Sequence, residues 1–217
     1  TLRGICPTLS KISQNSWKNA SKMSRSLDKT SLKVVSPPWQ RSAMNLWLDG
    51  RGGKTEGTAF LILCEDVLQS SLFVEEVCAS LLCEAKNSPL ACKLCSSCLS
   101  LQRQCHGDFL EISCQEGKNT IGIDQIREAK NFMQLTPLYG DVKCLIVKEA
   151  DRMTTSASNS LLKTLEEPPK SSVVFLSTSM VSKLPPTIRS RCQFFILPRP
   201  TPNEAKDWLL KNGYLAH

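Results

Sequence analysis

Short apolar runs recur along this chain, with room for a helix between successive runs. They lie at residues 59–63, 109–112, 142–147, 173–176 and 193–197. Continuous apolar runs of this length are typical of strands that are buried on both faces of a parallel sheet. Parallel neighbours need a crossover connection, which is usually a helix. The sequence therefore predicts an α/β fold built on a doubly wound parallel sheet.

The segments between these runs carry helical patterns. Helices are expected at residues 39–48, 71–82, 122–135, 155–165, 184–190 and 203–211. Pro168 and Pro169 end the helix at 155–165, because proline has no N–H to donate and clashes with the preceding turn. A cysteine-rich insertion at residues 83–105 interrupts the alternation.

Charge is distributed unevenly along the 217 residues, whose formal net charge is +7. Residues 1–54 hold ten Lys/Arg and two Asp/Glu, and the remainder of the chain is close to neutral. Residues 1–38 are rich in Ser, Lys and Asn, which predicts a basic, disordered extension, and a basic arm of this kind can contact nucleic acid. No apolar run approaches the roughly 18 residues that a membrane span needs. We expect a cytoplasmic protein without a membrane partner.

A phosphate-binding loop is the next feature to test. Residues 52–55 (GGKT) resemble the end of a Walker A motif, but the required upstream Gly is replaced by Leu48. A P-loop also follows a strand and opens a helix, whereas these residues precede the strand at 59–63. The position that fits this topology is residues 64–71 (CEDVLQSS). There Cys64 and Gln69 replace the glycines, Ser70 replaces the lysine and only Ser71 matches, so ATP binding by this chain is not expected.

The metal-binding acidic pair of such sites is altered as well. In ATP sites of this kind, the strand in the position of 142–147 is followed by Asp-Glu, which holds Mg²⁺ and orients water. This chain has Lys148 and Glu149 there instead. A lysine at the first position places a positive charge where the metal would bind.

Four of the eleven cysteines cluster at Cys83, Cys92, Cys95 and Cys98. Their close spacing lets a loop wrap a tetrahedral ion, and thiolates suit Zn²⁺. Four protein ligands leave no open coordination position, so the expected role is structural. Cys105 and His106 are spare candidates for this site, and free structural thiols are the alternative.

Two late motifs carry a family resemblance. Residues 158–169 read SNSLLKTLEEPP and residues 187–192 read TIRSRC. With the cysteine insertion, HGDF at 106–109 and GKNTIGIDQIRE at 117–128, they resemble the clamp-loader branch of the AAA+ ATPases. Within it the chain resembles the delta-prime family of bacterial DNA polymerase III. The similar gamma/tau family shares the zinc module and the late motifs but has intact Walker sequences.

The resemblance implies roles and partners. Residues 39–197 would form an AAA+ clamp-loader-type domain with a zinc-binding insertion at 83–98, and residues 198–217 would begin a small helical lid, without the family's collar domain. Arg191 would act as an arginine finger on the ATP site of a neighbouring gamma/tau subunit, with Arg189 as its competitor. The implied partners are gamma/tau and delta subunits, and through them the sliding clamp and primed DNA. The chain would belong to a DNA polymerase holoenzyme without ATPase or polymerase activity of its own.

Other functions are also open at this point. The chain could be an active gamma/tau-type ATPase that uses Lys54 in an unusual topology, which predicts saturable, Lys54-dependent ATP binding. It could be a truncated, non-functional remnant. A free-standing zinc module that binds DNA is a third possibility, and it predicts DNA binding that is lost on chelation.

Overall fold

The computed structural model of the chain describes residues 38–50, 57–85 and 89–211. The basic segment up to residue 37, the GGKT sequence at 52–55 and residues 212–217 lie outside this part. Its helices are α1 (Pro38–Gly50), α2 (Val67–Leu82), α3 (Ser96–Gln102), α4 (Ile123–Gln134), α5 (Thr155–Glu166), α6 (Pro186–Arg189) and α7 (Pro202–Lys211). Its strands are β1 (Thr58–Leu63), β2 (Phe109–Ile112), β3 (Lys143–Val147), β4 (Ser172–Thr178) and β5 (Gln193–Ile196).

The five strands form one parallel sheet in the order β2-β3-β4-β1-β5. Each connection between consecutive strands passes through at least one helix. The predicted α/β parallel fold is therefore confirmed. Because all strands run the same way, the sheet has one amino edge and one carboxyl edge, and every loop can be assigned to one of them.

Strand residues alternate between two apolar cores, one on each face of the sheet. Leu61, Leu145 and Val174 point into a core shared with α4 and α5. Phe60 and Phe175 point into the other core, which α1 and α2 cover. Side chains of a strand alternate between faces with a period of two, so burial on both faces explains why the runs are continuously apolar.

Most predicted elements agree with the observed ones to within two residues at their ends. Helix α2 is the exception, because it begins at Val67 and not at Ser71. The backbone carbonyl of Asp66 accepts from Ser70 N at 3.0 Å, and its Oδ1 accepts from Gln69 N at 3.2 Å. Asp66 thus caps the helix one turn earlier than the apolar pattern indicated.

Within the described residues, no helix combines the length and apolarity that crossing a bilayer requires.

Candidate functional site

The loops that follow β1, β3 and β4 meet at the carboxyl edge of the sheet. They bring together Cys64, Glu149 and Thr178, and Cys64 N donates to the carbonyl of Thr178 at 3.2 Å. Open α/β sheets bind their ligands at this edge, where loops diverge. The altered phosphate-loop and metal positions predicted from the sequence therefore lie at one place.

The segment in the phosphate-loop position is occupied by its own contacts. The Cys64 thiol lies 3.7 Å from Gln69 Oε1, and Gln69 Nε2 donates to the carbonyl of Pro198 at 3.3 Å. Glu65 forms an ion pair with Arg199. Since N–H groups of the first helical turn already donate to Asp66, a phosphate would have to displace protein acceptors here.

The space around this position is divided between a shallow hollow and a larger cleft. Among the described residues, Cys64, Ser70, Glu149 and Thr178 line the hollow, which is half-open and encloses no space for a ligand. A larger cleft of about 360 Å³ lies beside it, between the ends of β1 and β5 and the turn after β4. Its walls include Cys64 and Glu65 of the phosphate-loop segment, with Met180, Ile196 and Arg199. The open space at this end of the sheet therefore borders the phosphate-loop segment, whose own hollow is shallow.

Lys148 fills the metal position with an internal ion cluster. Its Nζ lies 2.9 Å from Glu111 Oε1 and 3.2 Å from Glu75 Oε1. Burial by itself would lower the pKa of Lys148, but hydrogen bonds and charge from Glu111 and Glu75 outweigh burial and raise that pKa. The ammonium is therefore charged at neutral pH, and it takes up carboxylates that a divalent cation would otherwise attract. Glu149, its neighbour, pairs with Arg152 at 2.9 Å.

We expect the Lys148→Met substitution to lower the free energy of unfolding by about 1 to 2 kcal/mol, because it leaves Glu75 and Glu111 close together without a cation. Urea unfolding measures this change. Lys170→Met, at an exposed loop position, is the control and should change stability by less than about 0.5 kcal/mol. Equal effects of the two substitutions would contradict the ion cluster.

The four clustered cysteines form a second site, apart from the residues at the carboxyl edge of the sheet. The Sγ atoms of Cys83, Cys92, Cys95 and Cys98 all lie within 4.8 Å of one another, and the Cys83–Cys95 pair is 3.9 Å apart. Tetrahedral Zn–S bonds of about 2.3 Å place the sulfurs roughly 3.8 Å apart. The predicted cysteine set is therefore arranged so that it could hold a metal ion.

Backbone N–H groups prepare these sulfurs for ionisation. Leu94 N and Cys95 N donate to Cys92 Sγ, and these bonds lower the pKa of the Cys92 thiol. Burial opposes ionisation of Cys95, but hydrogen bonds from backbone groups, including Cys98 N at 3.4 Å, outweigh it and lower its pKa to about 6. Burial among neighbouring thiols raises the pKa of Cys98 to about 12. The local hydrogen bonds thus favour the thiolate forms of Cys92 and Cys95. A bound cation would favour the thiolate form of the remaining cysteines by offsetting their negative charge.

The spare ligand candidates lie outside this cluster. Cys105 is exposed, and its thiol points to the carbonyl of Ser100. His106 is buried, with Nε2 2.8 Å from Ser97 Oγ and Nδ1 accepting from Asp108 N at 3.0 Å. Because Nδ1 accepts, the neutral ring carries its proton on Nε2 and donates it to Ser97. His106 therefore ties the cysteine insertion to the start of β2.

We expect stability to fall as pH decreases below about 6.5, because of His106. Burial lowers its pKa, and the charges of Asp108 and Glu84 oppose this without cancelling it. Between the folded pKa and the ordinary value of 6.5 the unfolded chain binds more protons, so acid favours unfolding in that window. Chemical unfolding at pH 7.5 and 5.5 measures this loss. It should be smaller in His106→Gln, and an equal loss in both proteins would contradict the assignment.

Arg191 lies at the opposite edge of the sheet. It precedes β5, so it is at the amino edge, whereas Lys148 and Cys64 are at the carboxyl edge. Strands of four to seven residues separate the two edges by roughly 13–23 Å. Arg191 Nε donates to Glu166 Oε1 at 2.6 Å, and Nη1 donates to the carbonyl of Thr187 at 2.7 Å. Its position excludes contact with the chain's own phosphate-loop segment.

A family model described as "DNA polymerase III, delta subunit" matches residues 39–201, which is most of the chain. The chain belongs to this family. A relative from Pseudomonas aeruginosa, named DNA polymerase III subunit delta', is 31% identical over 174 residues. The protein of the same name from Escherichia coli is 36% identical over 129 residues. The expectation of a delta-prime-type chain is confirmed.

These similarities cover a part of each relative. The aligned residues make up 80% of this chain and 52% of the Pseudomonas protein, and 59% and 39% for the Escherichia coli protein. A solved structure of a DNA polymerase III gamma subunit-related protein from Thermotoga maritima is 27% identical, with a TM-score of 0.54. The aligned residues make up 80% of this chain and 49% of the Thermotoga protein. The delta-prime-type chain thus spans about half the length of the proteins it matches.

Several residues of these sites were not identified from the sequence. Glu75 and Glu111 complete the Lys148 cluster, Arg199 pairs with Glu65, and Glu166 pairs with Arg191. Glu166 and Glu65 lay in segments that the sequence singled out, at residues 158–169 and 64–71. The other pairs join residues far apart in the chain, and charged residues in those segments carry no local signal of their partners.

Proposed function

We propose that this chain is a non-catalytic clamp-loader subunit that stimulates ATP hydrolysis on a neighbouring gamma/tau subunit. In this proposal Arg191 enters the neighbour's ATP site, and this chain binds no ATP. The complex, with a delta subunit, would place the sliding clamp on primed DNA during replication. Membership in the family supports the assignment to clamp loading, and the geometry of the two sheet edges supports the division of roles.

The observation that carries the proposal is the set of contacts already made at the phosphate-loop and metal positions. N–H groups of the first turn of α2 donate to Asp66, Glu65 pairs with Arg199, and the metal position holds the charged Lys148 in a cluster with two carboxylates. Bound ATP would need Mg²⁺ and several backbone donors at this edge. Both needs conflict with contacts that the chain already makes.

The position of Arg191 supports action on a different subunit. An arginine finger stabilises negative charge that develops on the γ-phosphate during transfer, and it can be supplied in trans. Arg191 lies at the amino edge, a strand length away from its own phosphate-loop segment. A neighbour whose carboxyl edge faces this amino edge would receive the guanidinium.

The metal in this proposal is Zn²⁺, and its role is structural. Four thiolates suit zinc, and a closed set of four protein ligands leaves no position for a substrate. The residues that would hold it are Cys83, Cys92, Cys95 and Cys98. When bound, the ion would cross-link the insertion, and His106 with Ser97 would fix that insertion against the sheet.

A direct titration with labelled ATP and Mg²⁺ tests the division of roles. We expect no saturable binding to this chain, and saturable binding to a gamma/tau subunit measured in parallel. Saturable binding that disappears in Lys54→Ala would instead establish an active ATPase of unusual topology. Zinc-dependent DNA binding by the isolated chain, unchanged by any partner, would favour a DNA-binding module.

A further inference from the structure

Glu166 makes the principal contact of the Arg191 side chain. Both Nε and Nη2 of Arg191 donate to Glu166 Oε1, and the Nε distance is 2.6 Å. Nη1 donates to the carbonyl of Thr187 at 2.7 Å and lies 3.4 Å from Ser190 Oγ. All three guanidinium nitrogens are thus held by neighbouring protein groups, although the side chain is 31% exposed.

The geometry leaves one edge of the guanidinium for another ligand. Arginine carries five N–H donors arranged as two forks. Glu166 takes the fork made by Nε and Nη2, and Thr187 accepts from Nη1. In the part of the chain that the structure describes, no protein acceptor bridges Nη1 and Nη2, which make the second fork. A ligand that bridges them would have to displace only the long 3.4 Å contact between Nη1 and Ser190 Oγ. A fork of this kind matches two oxygens of a phosphate group.

The placement of Glu166 is electrostatically unfavourable unless a cation accompanies it. It is the last residue of α5, where the helix dipole disfavours a negative charge. Arg191 supplies that cation, and the following Pro168 and Pro169 fix where the helix ends. The carboxylate is therefore held at a rigid point from which it can orient the guanidinium.

We propose that Glu166 is a positioning residue that holds Arg191 with its second fork facing a phosphate of the neighbouring subunit. This inference rests on the proposed trans action of Arg191 and adds the residue that orients it. In the free chain the Nε fork is already ordered, so less conformational entropy is lost when the second fork engages.

The test compares Glu166→Gln with Glu167→Gln in a complex reconstituted with gamma/tau, delta, clamp and primed DNA. Glu167 is exposed and adjacent in sequence, and it makes no ion pair among the described residues, so it is a matched control. We expect Glu166→Gln to lower the kcat of chain-dependent ATP hydrolysis about 10- to 100-fold, as misplaced groups do, with an unchanged KM for ATP. Glu167→Gln should behave as the unsubstituted chain. Thermal unfolding and co-elution with gamma/tau establish that each variant folds and assembles.

A double substitution separates positioning from other roles. If Glu166 acts through Arg191, Glu166→Gln has no further effect on kcat in an Arg191→Ala background. A further loss in that background overturns the proposal, as does a normal kcat in folded, assembled Glu166→Gln. A normal kcat in Arg191→Ala overturns the trans arginine itself and the positioning role with it. If kcat falls in Arg191→Ala but stays normal in Glu166→Gln, the proposed function stands and the positioning role of Glu166 is rejected.

Discussion

Replacing Arg191 with alanine is expected to remove most of the ATPase stimulation that this chain gives to a gamma/tau complex. Arginine fingers contribute about 10³- to 10⁵-fold to kcat in related phosphoryl transfers, so turnover at the adjoining ATP site should fall by at least about 10³-fold. Other ATP sites in the complex would continue to turn over. Pre-steady-state ATP hydrolysis with clamp and primed DNA resolves the adjoining site from the rest.

The control for this experiment is Arg127→Ala. Arg127 is an exposed arginine on α4 that pairs with Asp124 at 3.0 Å, so its loss removes a comparable ion pair elsewhere. We expect normal stimulation from it. Full stimulation by a folded Arg191→Ala chain would reject the trans arginine. If neither the variant nor the unsubstituted chain stimulates hydrolysis, the family assignment describes ancestry and not the proposed role as a non-catalytic subunit.

Removing the metal is expected to give the largest change in stability. Zinc present at a thousandfold above its dissociation constant stabilises the folded state by about 4 kcal/mol. For a domain of this size that corresponds to a shift in Tm of about 8–16 °C. Thermal unfolding before and after chelation measures the shift, and metal analysis should find one zinc per chain. Below the lowered Tm, stimulation of ATP hydrolysis should persist, because the proposed role of the ion is structural.

Cys92→Ser and Cys105→Ser form a matched pair for this test. Cys92 belongs to the cluster, whereas Cys105 is exposed and lies outside it. We expect the first substitution to reproduce the effect of chelation and the second to leave zinc content and Tm unchanged. Zinc retained by Cys92→Ser, or lost from Cys105→Ser, would mean that the ligand set is wrong.

Local sequence patterns predicted the elements of this fold well. Apolar runs marked all five strands, since strands covered on both faces admit few polar residues. Helix α2 begins one turn before its predicted start, because its capping residue, Asp66, lies outside the apolar pattern that predicted the helix. The clustering of the four cysteines was also predictable, because all four lie within sixteen residues of the chain.

The order of the strands and the contacts of charged residues were not predictable in this way. Lys148 is 73 residues from Glu75 along the chain, and Arg191 is 25 residues from Glu166. Neither pair has a spacing that any local period would favour. The sequence indicated that Lys148 changed the metal position, and the tertiary structure added that two carboxylates hold it there.

The sequence by itself determined that this chain forms a parallel α/β sheet, that four cysteines lie close together and that its phosphate-loop and metal positions are altered. These features depend on residues near one another in the chain, where hydrophobic period and spacing act directly. Only the tertiary structure decided which sheet edge carries each loop, how Lys148 is neutralised and that Glu166 holds Arg191. Those outcomes depend on packing the helices against both faces of the sheet, which brings distant segments together only once the whole core has formed.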